Sequence, residues 1–240
     1  MTKPWLVDEW CIPEAGCEFV YRMEDVLDVY HRPYDARYPA VGLDEKPVQL
    51  LSDARPPLPC RPGDVAKADY EYKRQGTANV FCAFERSGNW RPPRDPLANW
   101  RELKVTDRRT RVDFAAFVKE LVDGRYKDAE RVVLVMDNLN THTPASLYEA
   151  FGPAEARQIT RKLEIHYTPK HGSWLNVAEV ELSVLGRSLP DRVPDAGALA
   201  THATALAGER NDAARGCDWQ FTTADARIKL KRLYPSIEVR

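Results

Sequence analysis

The chain has 240 residues, 35 Lys or Arg against 36 Asp or Glu, and a formal net charge of −1. That length buries the core of one large domain or two small ones. The balanced charge excludes a globally basic nucleic-acid wrapper but leaves room for a local phosphate-binding patch. Hydrophobic residues make up 43% and charged residues 30%, ordinary for a soluble globular protein. No apolar run reaches the roughly 18 residues of a membrane span. The start, MTKPWLVDEWCIP, lacks the apolar stretch of a signal peptide. The five cysteines (Cys11, Cys17, Cys60, Cys82, Cys217) form no C-x-x-C pair. They read as reduced thiols of a cytoplasmic protein.

In chain order, residues 1–39 read as a lead-in with one helix, Met23–His31. Residues 40–51 are a strand. Residues 53–69 hold Pro56, Pro57, Pro59, Pro62 and Gly63 and form a loop. Thr77–Phe84 is β-branched and aromatic, hence a strand. Ser87-Gly88-Asn89 signals a turn with a hairpin partner near Trp90, and Leu103–Thr106 is a third strand. A helix spans Arg111–Leu121. Phe114, Phe117, Val118 and Leu121 face the core at helical spacing, and Thr110 with Asp113 gives a capping-box pattern. Val132–Met136 is a buried strand. Thr143-Pro144 opens a helix with proline at its first position, and a second helix covers Pro153–Leu163. Glu164–Thr168 is a short strand, Lys170–Ser173 a loop, and Leu175–Leu189 a helix. A C-terminal helix at Ala224–Leu233 buries Ala226, Leu230 and Leu233. It exposes Arg227, Lys229, Lys231 and Arg232, either a DNA-tracking face or a soluble surface. Trp90, Trp100 and Trp219 read as core or loop anchors.

This order is three strands, helix, strand, helices, strand, helix. It predicts an α/β fold, a ribonuclease H-like mixed sheet flanked by helices, with a core at 40–195 and a helical extension at 196–240 packing on it. The first and fourth strands then lie side by side. Asp44 in AVGLDEKPVQLL and Asp137 at the end of RVVLVMD become neighbours, with Glu179 on the helix crossing beside them. Three carboxylates suit Mg2+ or Mn2+, hard cations that prefer oxygen ligands. A pair of such ions can activate an oxygen nucleophile and stabilise a leaving oxygen at a phosphodiester. Each acid also has a plainer reading: Asp44 as half of a solvated pair with Glu45, Asp137 as a turn cap, Glu179 as a surface carboxylate. Ala178, Leu182, Leu185 and Leu189 form the apolar stripe of the last core helix. Glu179 and Glu181 flank it on opposite sides, and periodicity does not choose between them.

Around these, His142 either braces the turn or orients a phosphate or water. Asn138 is a turn former within reach of a carboxylate. Lys170 and His171 precede a helix N-terminus, a place that suits phosphate. Arg108, Arg109 and Arg111 form a basic run, a solvated turn or a second phosphate contact.

The segments LDEKPVQLL, DYEYKRQGTANVF, VTDRRTRVDFA, LVMDNLNTH, HYTPKHGSWLNVAEVELSVL and WQFTTADARIKLKRLYP span nearly the whole chain in order. As a set they resemble the catalytic core of bacterial DDE transposases of the mariner superfamily, insertion-sequence six-thirty branch. The resemblance implies that Asp44, Asp137 and Glu179 are the catalytic, metal-binding triad, and it favours Glu179 over Glu181. The last two lie 42 positions apart, longer than the usual mariner spacing, an excess the Pro153–Leu163 helix absorbs. It further implies two Mg2+ or Mn2+ ions, transposon-end and target DNA as partners, homodimeric action, and a cytoplasmic, nucleoid-associated bacterial location. The family's N-terminal helix-turn-helix has no counterpart before residue 40, so a catalytic core alone is expected. Competing expectations are a ribonuclease H-like nuclease without strand transfer, and an inactive or domesticated DNA-binding relative.

Overall fold

The structure, a computed structural model, describes residues 16–86 and 99–235. Its first element is helix α1 (Cys17–His31). It starts six residues before the expected Met23, because Phe19 continues the stripe of Met23, Val26, Leu27 and Tyr30 into the core. Next come strands β1 (Ala40–Asp53), β2 (Tyr72–Glu85) and β3 (Arg101–Thr106). β1 outruns its expected end by two residues, and β2 starts five residues before the expected Thr77. There the residues are mostly exposed, so no apolar pattern marks them, yet backbone pairing continues to Asp53 opposite Tyr72. The register shifts between Gln49 and Leu51, close to Gly76, which adopts φ +92°. The proline-rich stretch between the arms holds two isolated bridges, Leu58 with Lys67 and Arg61 with Asp64. The expected turn at Ser87–Asn89 and its partner near Trp90 lie outside the described residues.

Helix α2 (Arg111–Asp123) carries the predicted capping box: the Thr110 side chain accepts from the Asp113 amide, and Asp113 accepts from the Thr110 amide. Strand β4 (Val132–Met136) is buried throughout. Helix α3 (Ala145–Ala150) places Pro144 at its N-cap, one position earlier than expected. Helix α4 (Pro153–Arg161) and strand β5 (Leu163–Tyr167) follow. The next expected helix is split. Ser173–Leu175 forms a 3-10 turn, and α5 (Val177–Ser188) starts after an Asn176 cap. Helix α6 (Ala196–Asp212) was not individually marked by the sequence, since Leu199, Ala203 and Ala207 give only a narrow buried stripe. Helix α7 (Thr223–Lys229) and a 3-10 turn at Lys231–Leu233 replace one continuous C-terminal helix.

The strands form one mixed sheet in the order β3-β2-β1-β4-β5. The β1–β2 and β2–β3 pairs are antiparallel; β1–β4 and β4–β5 are parallel. Helices α1, α5, α6 and α7 pack on one face with Val80, Cys82, Val133 and Val135. Helices α2, α3 and α4 pack on the other with Leu43, Phe81, Leu134 and Met136. Alternation along each strand assigns those side chains to the two layers. Among the described residues no helix is long and apolar enough to cross a membrane.

Candidate active site

The parallel pairing of β1 and β4 sets Gly42 opposite Val135. Two residues further along both strands come Asp44 and Asp137, so they stand level at the carboxyl end of β4. Strand alternation turns Asp44 toward the α5 layer, since its cross-strand partner Cys82 packs there. Asp44 is buried, whereas Asp137, one residue past β4, is half-buried and keeps access to solvent.

Helix α5 meets β1 at Gly42. A Cβ there would lie 2.6 Å from Val177 Cγ2 and 3.1 Å from the Ala178 nitrogen, so only glycine lets the helix start this close. Asn176 locks the contact. Its Oδ1 accepts from the Ala178 amide at 3.1 Å, and its Nδ2 donates to Leu43 O at 2.9 Å and to Asp44 Oδ2 at 3.2 Å. The Tyr30 hydroxyl supports the same turn, donating to Leu175 O at 2.7 Å and accepting from the Val177 amide at 3.3 Å. Glu179 sits half-buried in the first turn of α5. The expected apolar stripe needs a correction, because Glu181 lies within it, 2% exposed. Its carboxylate takes Arg101 Nε at 2.9 Å and two donors of Arg210, each at 2.9 Å. A buried carboxylate clamped between two guanidiniums is a structural ion cluster. The two glutamates that periodicity left equivalent therefore sit in different surroundings.

Burial pushes the Asp44 carboxyl up to about 7, helped by the negative charges of Asp137, Glu179 and Glu45 and opposed by the Glu45 amide it accepts from. Asp137 and Glu179 thus both act on Asp44 through space. Among the described residues no group of three or more His, Cys, Asp or Glu side chains is placed to hold a metal ion. The donor set still fits a hard divalent cation: all oxygen, with mutual repulsion at Asp44 that a cation would relieve. Magnesium commonly takes one or two carboxylates and leaves the rest of its shell to water and substrate phosphate.

His142 stands between two carboxylates, Nδ1 2.5 Å from Asp137 Oδ1 and Nε2 2.8 Å from Glu45 Oε2, with its ring against Phe114. Burial works against its charged form, but the hydrogen bonds to Asp137 and Glu45 outweigh it and hold the imidazole up at about 9. Of the two roles open from sequence, these contacts are the bracing one, since they hold His142 against Asp137 at the start of the turn. Asp137 Oδ1 also accepts from the Leu139 amide at 3.4 Å, so it caps its own turn as well. Asn138 is exposed beside it. Arg109 lies 3.7 Å from Glu45 Oε1. Arg111 donates to Asn140 O at 3.1 Å and pairs with Glu149. Arg108 is exposed on the same turn. Lys170 and His171 are exposed on the loop leading into the 3-10 turn, His171 at φ +62°. Asn176 and Glu45 are the neighbours that sequence reasoning did not single out. The side chain adjacent to a predicted acid was the available signal for Glu45, and a cap-forming Asn three residues before Glu179 was the signal for Asn176.

The sequence profile described as DDE superfamily endonuclease matches residues 39–199. No curated protein matches the chain. Among solved structures, the mariner Mos1 paired-end complex with Mg aligns with 99% of this chain and 69% of its own, at 14% identity and TM-score 0.51. The Mos1 paired-end complex with Mn covers 92% of this chain and 69% of its own at 16% identity and TM-score 0.43. The Mos1 strand transfer complex covers 92% and 67% at 15% identity and TM-score 0.45.

Proposed function

Because the chain belongs to the DDE superfamily endonuclease family and has the ribonuclease H-like fold, we propose that it is the catalytic domain of a DNA transposase. In this reading it cuts DNA at the ends of a mobile element and joins the freed 3′-hydroxyl to target DNA. It belongs to the bacterial insertion-sequence six-thirty branch of the mariner superfamily and works as a homodimer on DNA. The observation that carries the proposal is that the β1–β4 pairing sets Asp44 and Asp137 level while α5, with Glu179 in its first turn, starts against Gly42; burial lifts the Asp44 carboxyl to about 7, and the charges of Asp137 and Glu179 add to that. That Mos1 complexes are described with Mg and with Mn agrees with this donor chemistry.

Asp44, Asp137 and Glu179 would hold divalent ions, which when bound supply Lewis acidity to the phosphodiester. The chain's own residues set the stage. Asn176 fixes the Asp44 carboxylate and the start of α5 with one side chain. His142, held by Glu45, fixes Asp137. Lys170, His171 and Arg108 offer exposed cationic or hydrogen-bonding groups to phosphate, Arg109 lies beside Glu45, and Arg111 is held by Asn140 O and Glu149. Positioning the scissile phosphate is then a task for surface cations, and the reacting bond meets only preset carboxylates.

The test is nicking of supercoiled plasmid in Mg2+ or Mn2+, followed by transfer of a radiolabelled oligonucleotide 3′-hydroxyl into that plasmid. Asp44→Asn, Asp137→Asn and Glu179→Gln should each lower nicking on the order of 10³-fold, since Lewis-acid stabilisation is worth several kcal/mol. Nicking without joined product would reduce the reading to a nuclease. DNA binding without ion-dependent nicking would leave a binding protein only.

A further inference from the structure

Trp174 lies in the 3-10 turn two residues before Asn176, the side chain that donates to Asp44. Its ring runs nearly parallel to that of Trp219, at 11° and 6.4 Å between centroids, and meets Phe221 edge-on at 6.0 Å. Trp219 is anchored in turn against Tyr30 at 5.2 Å, and its indole N–H donates to Phe221 O. Despite this backing Trp174 stays 44% exposed. The indole is therefore braced from behind with much of its surface left open to a partner. Cationic groups border it. Lys229 Nζ lies 5.5 Å from the Phe221 ring centroid while pairing with Asp225 at 3.2 Å across an exposed surface, and exposed Lys170 precedes Trp174 on the same loop. Aromatic planes interleaved with basic side chains are how sequence-tolerant binders hold single strands, bases stacking and phosphates meeting cations.

We propose that Trp174, backed by Trp219 and Phe221, is a stacking platform for one unpaired DNA base beside the carboxylate site, with Lys170 and Lys229 meeting the adjoining phosphates. The occupant is single-stranded DNA rather than an apolar protein, because the rim is cationic and the platform continues directly into the turn that ends at Asn176. The platform extends the transposase reading, in which DNA ends are opened beside the metal-binding acids. It makes Trp174 a binding residue with no part in bond chemistry.

Binding measured in chelator isolates the platform from catalysis. Two oligonucleotides of one sequence serve as probes, one single-stranded and one fully paired, each with 2-aminopurine at a central position. Stacking on indole quenches 2-aminopurine, and single-strand affinity should fall about 5- to 100-fold in Trp174→Leu, the range of one base–aromatic stack. Duplex affinity should change by less than about twofold. Trp174→Tyr should keep most of the quenching, and because Leu and Tyr variants leave Trp219 in place, matching thermal midpoints show that the fold is intact. Equal loss on both probes, unchanged single-strand affinity, or no binding by the unmodified chain would each overturn the platform. The nicking assay still decides the metal site in every case, so the two readings fail separately.

Discussion

At the scale of single residues, the Asp44 carboxyl and the His142 imidazole have opposite chemistry and the same stability consequence. Unfolded, they titrate near about 4 and about 6.5. In the fold they are held up at about 7 and about 9. The folded chain therefore keeps more protons than the unfolded chain from roughly pH 4 to 7 through Asp44, and from roughly pH 6.5 to 9 through His142. Wherever the native state binds more protons, stability falls as pH rises. The thermal midpoint of the metal-free chain in chelator should accordingly decline from pH 4 to pH 9. Asp44→Asn should flatten the lower half of that decline, and added Mn2+ should do the same by compensating the ionised carboxylate. A wild-type midpoint indifferent to pH over this range would contradict the burial of Asp44 and the carboxylate contacts of His142. Part of this was legible in the sequence: Asp137 ends an apolar run, and Asp44 lies in a strand. The His142–Glu45 contact was not, because a pairing between residues 97 positions apart has no local periodicity to announce it.

At the scale of elements, α5 separates two glutamates one helical step apart in role. Glu181 ties β3 to α6 through Arg101 and Arg210, and Arg101 also binds Asn211, its amide donating to Asn211 Oδ1 at 2.8 Å. Removing one partner of a buried ion cluster leaves the other charge uncompensated. Glu181→Ala should lower the free energy of unfolding by about 3–5 kcal/mol in a denaturant titration. Glu179→Gln should stay within about 0.5 kcal/mol of wild type, as substitutions away from buried networks do. Similar losses at both positions would erase the distinction between them. The sequence marked the helix and its leucines but left Glu181 flanking the apolar stripe, undistinguished from Glu179. The guanidiniums that make the burial of Glu181 tolerable come from residues 101 and 210, distant in the chain. The same blindness shortened β3, which begins at a buried arginine rather than at Leu103.

At the scale of the whole molecule, the order of strands and helices was readable because each long apolar stretch had its own period. The adjacency of the first and fourth strands followed from that order as the pattern of a ribonuclease H-like sheet. Helix α6 was the element least visible, and it matters most for integrity. Its Leu199, Ala203 and Ala207 join the core cluster that also contains Val80, Cys82 and Val135, and its Arg210 and Asn211 complete the β3 bonds. A chain ended after residue 195 should lose its cooperative unfolding transition, which circular dichroism against temperature would read. A sharp transition in that fragment would show that the sheet and its first-layer helices suffice.

The three-residue ladder from Ala40–Val133 to Gly42–Val135 has a consequence for how activity is gained during folding. Side chains alternate along a strand, so a slip of one residue would turn Asp137 to the layer opposite Asp44. A one-residue slip thus leaves the two acids on opposite sides, and the proposed catalytic group is absent in that register. Because parallel pairing joins segments about ninety positions apart, it is also among the slower contacts to form. Recovered nicking after dilution from denaturant would then act as a clock for that single pairing, lagging behind the return of helical signal.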